Sequence, residues 1–417
     1  MSKSEHTSPV VMLTGTYSSY NKGDAAMQLS TAQSIKKEWP DADITISSPF
    51  PEFDRDFYQE YRVIKSSRRN LIVGTLHLVR AYLYRLTGWS FIIRGNTELW
   101  AFAKSDIVID LSGDTLTEDY GPHVTYSHFL PILLGLAYKK PVFVCAQSIG
   151  PFKLTKGFAK FVLNRTSAIT AREEITYDYL KKLGINQRIL SLTADMAFLL
   201  EPVSQKRAEK ILSDENIKLP KKREILGVTV SELVENRYNQ NSPHKNTDFV
   251  SDIAKMLDRL IERCDIDVLL IGHVTGPSAS KDDRIIARRV KHALHEKNRK
   301  HAHILLGNYR PDELKGIIGK CDAMLGSRMH SNIGALSTHT PTVAIGYSHK
   351  TDGIMSSLEL HDYVFAIDSL DTNQLEKYVE KALKNKKKIT KLLERNIKLV
   401  KNESLKNIAI VRRLLGQ

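Results

Sequence analysis

Short apolar runs alternate with longer helix-like stretches along almost the whole 417-residue chain. The runs are rich in Val, Ile and Leu, which is typical of strands buried on both faces of a parallel sheet. Helical periodicity fills the intervals, most clearly at residues 25–39 and 126–137. The runs predict two series of strands: Val10–Thr14, Ile44–Ser47, Ile107–Leu111, Val142–Ala146 and Ala168–Ala171, then Ile225–Val230, Val268–Ile271, His303–Leu306, Asp322–Leu325 and Thr342–Ile345. Such alternation predicts an α/β protein.

Two series of strands in a chain of this length predict two domains, because one hydrophobic core rarely serves 417 residues. A charged stretch near residues 201–223 separates the series. We therefore predict an N-terminal Rossmann-like domain over residues 1–205, a C-terminal one over residues 220–375, and a basic C-terminal helix over residues 376–417. Both domains are expected to be doubly wound and to face a central cleft, where the carboxyl ends of the strands build ligand sites.

The positive net charge of the chain favours a negatively charged partner. The net charge is +14, and residues 376–413 hold 13 Lys and Arg against 4 Glu, a local excess of 9. Such a segment suits peripheral contact with an anionic membrane, and the alternative is a solvated helix face. Nucleic acid is not expected as a partner, because no nucleic-acid-binding module accompanies the basic residues.

The N-terminus and the cysteines predict a cytoplasmic protein. Residues 1–9 lack the apolar core of a secretory signal. Cys145, Cys264 and Cys321 are few and far apart, as in a chain that keeps its thiols reduced, and they form no metal-ligand pattern.

The long apolar segment Leu71–Ile93 contains His77, Arg80 and Arg85, so a membrane span is not expected. Its helical spacing predicts an amphipathic helix packed in the core or between domains. Docking on a membrane surface is the alternative.

The segment Gly326-Ser-Arg-Met-His-Ser-Asn-Ile-Gly334 carries the strongest chemical signal. It follows the predicted strand Asp322–Leu325 and opens a predicted helix at Asn332, so Arg328 and His330 are placed at the carboxyl end of a strand. A permanent cation beside a titratable imidazole suits an anionic substrate that must exchange a proton. The alternative is a surface arginine and a loop histidine without a role.

Further polar residues follow other predicted strands. Asp24 is a plausible helix N-cap, and Gly23 permits a tight turn or close backbone approach. Asp114, after Gly113, could reach sugar hydroxyls or form an Asx turn. Two further cations lie at strand ends: Arg172, which could instead pair with Glu173 or Glu174, and Lys350, 20 residues after His330. Arg172, Arg328 and Lys350 thus all lie at predicted strand ends, and three cations that converge on one cleft suit a small, multiply charged anion.

In this order the segments resemble the polysaccharide pyruvyl transferase family. The matching pieces are Gly15…Asn21-Lys-Gly-Asp24, Leu111-Ser-Gly-Asp114 with Asp119-Tyr-Gly121, Gln147-Ser-Ile-Gly-Pro-Phe152, Ala171-Arg-Glu173, Asp195-Met-Ala-Phe198, Gly326–Ser331 and Tyr347-Ser-His-Lys350. The family's glycine-rich triplet is reduced here to Ser112-Gly113-Asp114, and residues 50–103 carry none of its motifs.

The resemblance implies a fold like that of the GT-B glycosyltransferases, with a different reaction. It implies that the pyruvyl carbons of phosphoenolpyruvate are transferred to a sugar of a surface polysaccharide or its lipid-linked precursor, giving a cyclic ketal and phosphate. By motif match Arg172, His330 and Lys350 would be catalytic and Arg328 would hold phosphoenolpyruvate. The other candidate contacts to the donor or the sugar are Asn21, Gly23, Asp24, Gly113, Asp114, Gln147 and Ser148.

The residue chemistry agrees with this reaction. Neutral His330 suits the role of base for a sugar hydroxyl. Arg172 stays protonated, which suits an electrostatic stabiliser, and Lys350 suits a proton donor. The reaction needs no cofactor beyond the donor substrate and no metal ion.

Two other functions stay open at this point. One is a GT-B glycosyltransferase that uses a nucleotide sugar. The other is a non-catalytic protein that binds glycans or an anionic surface. For any of these functions, the cytoplasmic protein could attach peripherally to the inner face of the cell membrane.

Overall fold

The computed structural model describes residues 8–219, 222–241, 248–346 and 349–416. The chain forms two compact units. Unit 1 contains the chain up to Ser19, Met27–Leu199 and the chain from Asn402, and unit 2 contains Tyr20–Ala26 and Leu200–Lys401. Residues 20–26 and 200–205, which were predicted in the N-terminal domain, therefore belong to unit 2. The predicted C-terminal region 376–417 is divided between the units after Lys401.

Unit 1 is built on a seven-stranded, wholly parallel sheet with the strand order β3-β2-β1-β4-β5-β6-β7. The order reverses between β1 and β4, where Leu13 pairs with Ile109 and Thr14 with Asp110. This switch point is where doubly wound sheets open a crevice. The elements are β1 (Val10–Thr14), α1 (Lys22–Glu38, which begins in unit 2), β2 (Asp43–Ser48), α2 (Pro51–Phe57), β3 (Arg62–Lys65), α3 (Leu71–Thr87), α4 (Thr97–Lys104), β4 (Ile107–Asp110), α5 (Pro122–Ala137), β5 (Val142–Gln147), α6 (Lys156–Leu163), β6 (Ala168–Ala171), α7 (Glu174–Leu183) and β7 (Leu190–Leu192).

Unit 2 has a six-stranded parallel sheet with the order β10-β9-β8-β11-β12-β13. Its switch point lies between β8 and β11, where Gly326 pairs with Thr229. The elements are α8 (Gln205–Asp214), β8 (Glu224–Thr229), α9 (Glu232–Asn241), α10 (Phe249–Cys264), β9 (Ile266–Ile271), α11 (Asp283–Ala293), β10 (Ala302–Leu305), α12 (Pro311–Ile318), β11 (Ala323–Gly326), α13 (Met329–Ser337), β12 (Thr342–Gly346), α14 (His349–Ser357), β13 (Val364–Ala366), α15 (Thr372–Lys384) and α16 (Lys386–Leu414).

Short 3₁₀ helices punctuate the connections, at Ser90–Ile92, Met196–Leu199, Ala279–Lys281, Glu296–His301, His361–Tyr363 and Ile367–Ser369. The predicted α/β class with two Rossmann-like doubly wound sheets is thereby confirmed. Every predicted strand is present, with ends within two residues of the prediction.

Three strands were not predicted: β3, β7 and β13. All three are edge strands of four residues or fewer, and β3 offers only Val63 and Ile64 as apolar positions. Edge strands bury less surface than central ones, so their sequences lack the continuous apolar run that the prediction relied on.

The helix that follows β1 corrects one predicted cap. It begins at Lys22, so Asp24 lies inside its first turn. The side chain of Asn21 accepts a hydrogen bond from the Gly23 N–H at 3.0 Å and donates one to the Asp24 carboxylate at 3.1 Å. Asn21 is therefore the capping side chain, with Asp24 as its partner.

The prediction of core or interdomain packing for Leu71–Ile93 is wrong for one face of helix α3. Gly74 and Ala81 are buried, whereas Ile72, Leu76 and Leu86 are exposed. No helix in the described ranges is both long enough and apolar enough to cross a membrane.

The end of the chain forms two helices where one was predicted. Asn385 separates α15 from α16, and the boundary between the units falls inside α16.

Candidate active site

The start of helix α1 is attached to the loop that follows β9, and this places Asn21, Gly23 and Asp24 in unit 2. The Lys22 N–H donates to the His273 carbonyl at 3.0 Å, and the Thr275 N–H donates to the Tyr20 carbonyl at 3.0 Å. Asn21 and Val274 form an isolated antiparallel bridge. These backbone contacts bring the first turn of a helix from the N-terminal part of the chain to the carboxyl edge of the second sheet.

His330 lies in the first turn of α13, directly after the switch-point strand β11, and packs against Gly23. A Cβ atom at position 23 would lie 2.3 Å from His330 Nδ1 and 2.9 Å from its Cβ. Real contacts are never this short, so only glycine permits the approach. Gly23 therefore allows close approach by the predicted catalytic imidazole, whereas contact of Gly23 with a substrate stays a prediction.

Arg328, the residue before α13, is held by a fully buried carboxylate. Its Nη2 donates to Asp283 Oδ1 at 2.7 Å, and its Nε to Asp283 Oδ2 at 3.2 Å. The backbone N–H groups of His273 and Val274 also donate to Asp283, at 3.2 and 2.8 Å. Burial raises the pKa of Asp283, while Arg328 and the backbone donors oppose that shift. This bidentate pairing fixes the direction of the guanidinium.

His273 and Lys22 complete a positively charged cluster. Both are buried, and neither ring nitrogen of His273 has a hydrogen-bond partner among the described residues. Burial lowers the pKa of His273 well below its ordinary value, and electrostatic interactions with His330, Arg328 and Lys22 lower it further. The Lys22 ammonium donates to Asn308 Oδ1. The cluster of Lys22, His273, Arg328 and His330, called the unit 2 cluster below, therefore combines cationic groups with a neutral, buried imidazole.

Lys350 is the second residue of α14, after β12, and its side chain is buried. Since β12 pairs with β11, Lys350 follows the strand next to the one that carries Arg328 and His330. Tyr347 and Ser348, which complete the motif around Lys350, lie outside the described residues.

Arg172, the third predicted catalytic residue, lies in unit 1 at the end of β6. Its Nη1 donates to Asp195 Oδ2 at 2.7 Å, and both side chains have 0% exposure. Its Nε donates to Ser148 Oγ at 2.8 Å, while Nη2 has no hydrogen-bond partner among the described residues. The partner is thus Asp195, not Glu173 or Glu174. Glu173 instead caps helix α7.

Beside Arg172, the switch point of unit 1 contains buried polar atoms without partners in the described part of the chain. They are Asp110 Oδ2, Ser112 Oγ and Gln147 Oε1. The Gln147 amide donates to the Asp110 carboxyl at 2.7 Å, and burial raises the pKa of Asp110 while this bond and Ser112 oppose the shift. Buried polar groups are normally satisfied, so this edge is suited to a polar ligand.

The remaining candidates, Gly113 and Asp114, adjoin this edge. Gly113 has φ +66°, and its carbonyl accepts the Ser148 N–H at 2.8 Å. Asp114 is half-buried. Their predicted contact with substrate stays a prediction.

The structure adds functional candidates that sequence reasoning passed over. Lys22 stood inside a quoted motif, and His273 follows a predicted strand just as His330 does, so strand-end placement could have singled out both. Asp195 also stood inside a quoted motif, but its role became recognisable only from the arginine that it holds. Asp283 lies in no quoted motif and is recognisable only from Arg328. Among the described residues, no group of three or more His, Cys, Asp or Glu side chains could hold a metal ion.

Two Rossmann-like units of this kind define the GT-B structural class. The chain is similar to a glycosyltransferase from Rickettsia africae, with a TM-score of 0.59 and 14% identity over 98% of this chain and 99% of that one. It is also similar to a UDP-GlcNAc 2-epimerase from Neisseria meningitidis, with a TM-score of 0.60 and 11% identity over 98% of this chain and 100% of that one. At such identities the likeness shows the fold alone.

Sequence likeness then gives the family. The chain belongs to the polysaccharide pyruvyl transferase family, whose model matches residues 21–349. It is also 25% identical over 404 residues to the amylovoran biosynthesis protein AmsJ of Erwinia amylovora, covering 93% of this chain and 95% of that protein. The family identifies the chain as a transferase of polysaccharide biosynthesis.

Proposed function

We propose that the protein transfers the pyruvyl group of phosphoenolpyruvate to two hydroxyls of one sugar as a cyclic ketal, with release of phosphate. The observation that carries the proposal is the unit 2 cluster, in which Lys22, Arg328 and His330 lie near the imidazole of His273, whose ring nitrogens have no hydrogen-bond partner in the described part of the chain. Phosphoenolpyruvate brings a phosphate and a carboxylate, which arginine and lysine bind through charge-assisted hydrogen bonds. Its binding would also give the ring nitrogens of His273 polar partners.

The reaction balances with acid–base groups alone. A proton adds to the vinyl methylene of phosphoenolpyruvate and makes it a methyl group, while the first sugar oxygen bonds to the central carbon. The bond from that carbon to the phosphate oxygen then breaks, and the second sugar oxygen takes its place. Of the two hydroxyl protons released, one balances the methyl proton and the other leaves with phosphate or to water.

The roles follow from placement and charge. His330 acts as the base for a sugar hydroxyl, and its position is set by contact with Gly23. Arg328, aligned by Asp283, binds the donor. Lys350 delivers the methyl proton, and Arg172, which carries its role by motif match, stabilises developing negative charge. Phosphoenolpyruvate is the donor substrate, and the proposal uses no other cofactor.

The acceptor is a saccharide of a surface polysaccharide or of its lipid-linked precursor, on the cytoplasmic side. This part of the proposal is supported by the family and by the name of AmsJ, which concerns the biosynthesis of a polysaccharide, amylovoran. The polar atoms of Asp110, Ser112 and Gln147 offer hydrogen bonds of the kind that sugar hydroxyls make.

Calorimetric titration with phosphoenolpyruvate and, separately, with UDP tests the donor. We expect the wild type to bind phosphoenolpyruvate and Arg328→Lys to bind it about tenfold more weakly. Lysine keeps the charge but cannot form the bidentate hydrogen bonds of a guanidinium. Arg395→Lys is the matched control, because Arg395 pairs with Glu359 on the exposed surface of the same unit. Binding of UDP without phosphoenolpyruvate would favour a nucleotide-sugar glycosyltransferase, and binding of neither would favour a non-catalytic protein. Both results contradict the proposal.

A further inference from the structure

Helix α3 has two opposite faces of different character. Ile72, Leu76, Val79, Leu83 and Leu86 are 43% to 74% exposed. At 100° per residue these five positions fall within about 40° on either side of one line along the helix. They form one continuous apolar stripe on the outside of the protein, called the α3 face below.

The opposite side of the helix is fixed against helix α5, so the exposure of the α3 face is built into the fold. Gly74 and Ala81, half a turn away from the stripe, are buried. A Cβ atom on Gly74 would lie 2.4 Å from a methyl group of Leu130, which shows how closely the helices approach. Arg80 Nε also donates to the Ile92 carbonyl at 2.7 Å and ties the helix to the segment that follows it.

Aromatic side chains extend the α3 face at its carboxyl end. Trp89 and Phe91 are 59% and 65% exposed, and their rings stack with centroids 5.6 Å apart. The exposed ring of Tyr82 lies 4.7 Å from the guanidinium carbon of Arg85. Tryptophan and tyrosine beside basic residues are typical of the boundary between lipid headgroups and acyl chains.

The segment that contains the α3 face has formal charges of a single sign. Residues 61–97 contain no Asp or Glu and seven basic residues: Arg62, Lys65, Arg68, Arg69, Arg80, Arg85 and Arg94. Of these seven, Arg68 is buried and the others are at least partly exposed. An anionic surface is complementary to this set.

A second copy of the chain fits less well. The alternating spacing of four and three residues along the stripe could form a short helix pair. Such a pair would bring two sets of cations together with no acidic residue in the segment to offset them, and like charges facing each other oppose association.

We propose that the α3 face is a membrane-docking surface that lies flat on a bilayer containing anionic lipids. The apolar stripe and the aromatic pair enter the boundary between headgroups and acyl chains, to a depth of about 5–10 Å, while the surrounding arginines contact lipid phosphates. The inference stands on the surface alone and holds whichever reaction the protein performs.

Flotation of the full chain with vesicles tests this surface. The vesicles are made of phosphatidylcholine, with and without phosphatidylglycerol, at low ionic strength. We expect the wild type to float with the anionic vesicles and to be released by salt. The variant Leu76→Gln/Leu83→Gln should lose about tenfold or more of its partition into them, because two apolar side chains no longer enter the boundary.

The matched control is Leu399→Gln/Leu405→Gln, on the basic helix α16, where the leucines are 62% and 49% exposed. It should float like the wild type. Because all four leucines are exposed, circular dichroism and thermal midpoints should match the wild type. The inference fails if the wild type ignores anionic vesicles, or if Leu76→Gln/Leu83→Gln floats as well as the wild type. It fails equally if only the α16 variant is released. A wild-type dimer that this α3 variant converts to a monomer would assign the face to a second copy instead.

Discussion

At the residue scale, the account depends on how closely His330 approaches the first turn of α1. The imidazole occupies the space that a side chain at position 23 would need. Even the His330 Cβ would lie 2.9 Å from an added methyl group, so a rotation of the ring alone cannot relieve the overlap. The smallest possible substitution at Gly23 therefore probes the position of the proposed base directly.

Gly23→Ala should lower the rate of pyruvyl transfer about a hundredfold, because displacement of a catalytic group by about 1 Å has an effect of that size. Single-turnover kinetics with phosphoenolpyruvate and acceptor provides the measurement. The matched control is Gly157→Ala in helix α6, where an added Cβ meets nothing within 4 Å. An unchanged rate in Gly23→Ala would show that the position of His330 does not govern the chemistry.

The second prediction at this scale concerns Arg172 and Asp195, the carboxylate with which it pairs. Asp195→Asn leaves a buried guanidinium without its counter-charge, which should lower the free energy of unfolding by about 3 kcal/mol. It should also lower kcat more than it changes KM, because Arg172 loses its orientation while the proposed donor site lies in unit 2 and is untouched.

Asp178→Asn is the control for that experiment, since Asp178 pairs with Lys181 on the surface with 60% exposure and should shift stability by at most about 0.5 kcal/mol. Chemical denaturation and steady-state kinetics compare the two variants. Equal stability of Asp195→Asn and Asp178→Asn would remove the structural role given to the buried pair.

Part of this candidate site could be predicted from the sequence, and the rest could not, for a physical reason. Arg328 and His330 were predictable, because parallel strands gather their carboxyl ends at one edge of a sheet. The contacts that orient them were not. Asp283 meets Arg328 from 45 residues away, and Gly23 meets His330 across most of the chain. Such partners are selected by tertiary contact, which leaves no local pattern. That Arg172 and Lys350 take part in the same reaction stays a prediction.

At the element scale, the end of helix α16 fastens the strand ends beside Arg172. Asn407 is fully buried and accepts hydrogen bonds from Thr170 Oγ1 at 2.7 Å and Thr193 Oγ1 at 3.2 Å. Ser404, one turn earlier, donates to the Asp195 carbonyl at 2.9 Å. The sequence predicted a basic helix here. That the helix also buries polar side chains is evident only from its packing in the structure.

Asn407→Ala should lower the free energy of unfolding by about 2–4 kcal/mol, because the buried hydroxyls of Thr170 and Thr193 both lose the oxygen to which they donate. Urea denaturation measures the change. Lys406→Ala, on the exposed side of the same turn, should shift stability by at most about 0.5 kcal/mol and serves as the control. If both variants unfolded alike, α16 would not be a structural clamp for these strands.

The hydrophobic pattern predicts the central strands of both sheets but not the three short edge strands β3, β7 and β13. A central parallel strand must be apolar on both faces, so its sequence is distinctive. Helix α3 shows the opposite case. Its apolar positions predicted burial, but the same pattern also fits a face that is exposed, and only the packing of Gly74 and Ala81 distinguishes the two sides.

At the scale of the whole molecule, each unit contains a buried histidine that should make the protein sensitive to acid. Burial and the charge of Arg68 lower the pKa of His128 in unit 1, and burial with nearby cations lowers that of His273 in unit 2. Both imidazoles are neutral in the fold and accept protons once the chain unfolds. The unfolded chain therefore binds more protons, and stability falls as the pH drops below about 6.5.

Melting temperatures should accordingly decrease from pH 7.5 to pH 5.5, with each histidine contributing a slope of up to about 1.4 kcal/mol per pH unit. His128→Gln should make the decrease shallower. Differential scanning calorimetry across this range provides the check. A melting temperature that is constant or rises on acidification would contradict the neutral, buried state of these imidazoles.

The central claim is that this chain moves the pyruvyl group of phosphoenolpyruvate onto a saccharide with His330 as base. Its most direct test follows ¹³C-labelled phosphoenolpyruvate by NMR and mass spectrometry, in the presence of a saccharide fraction from the source cells. We predict phosphate release that requires the acceptor, a saccharide that gains one labelled pyruvate less one water, and loss of both in folded His330→Ala. Phosphate release without labelled saccharide, or full transfer by His330→Ala, would contradict the account.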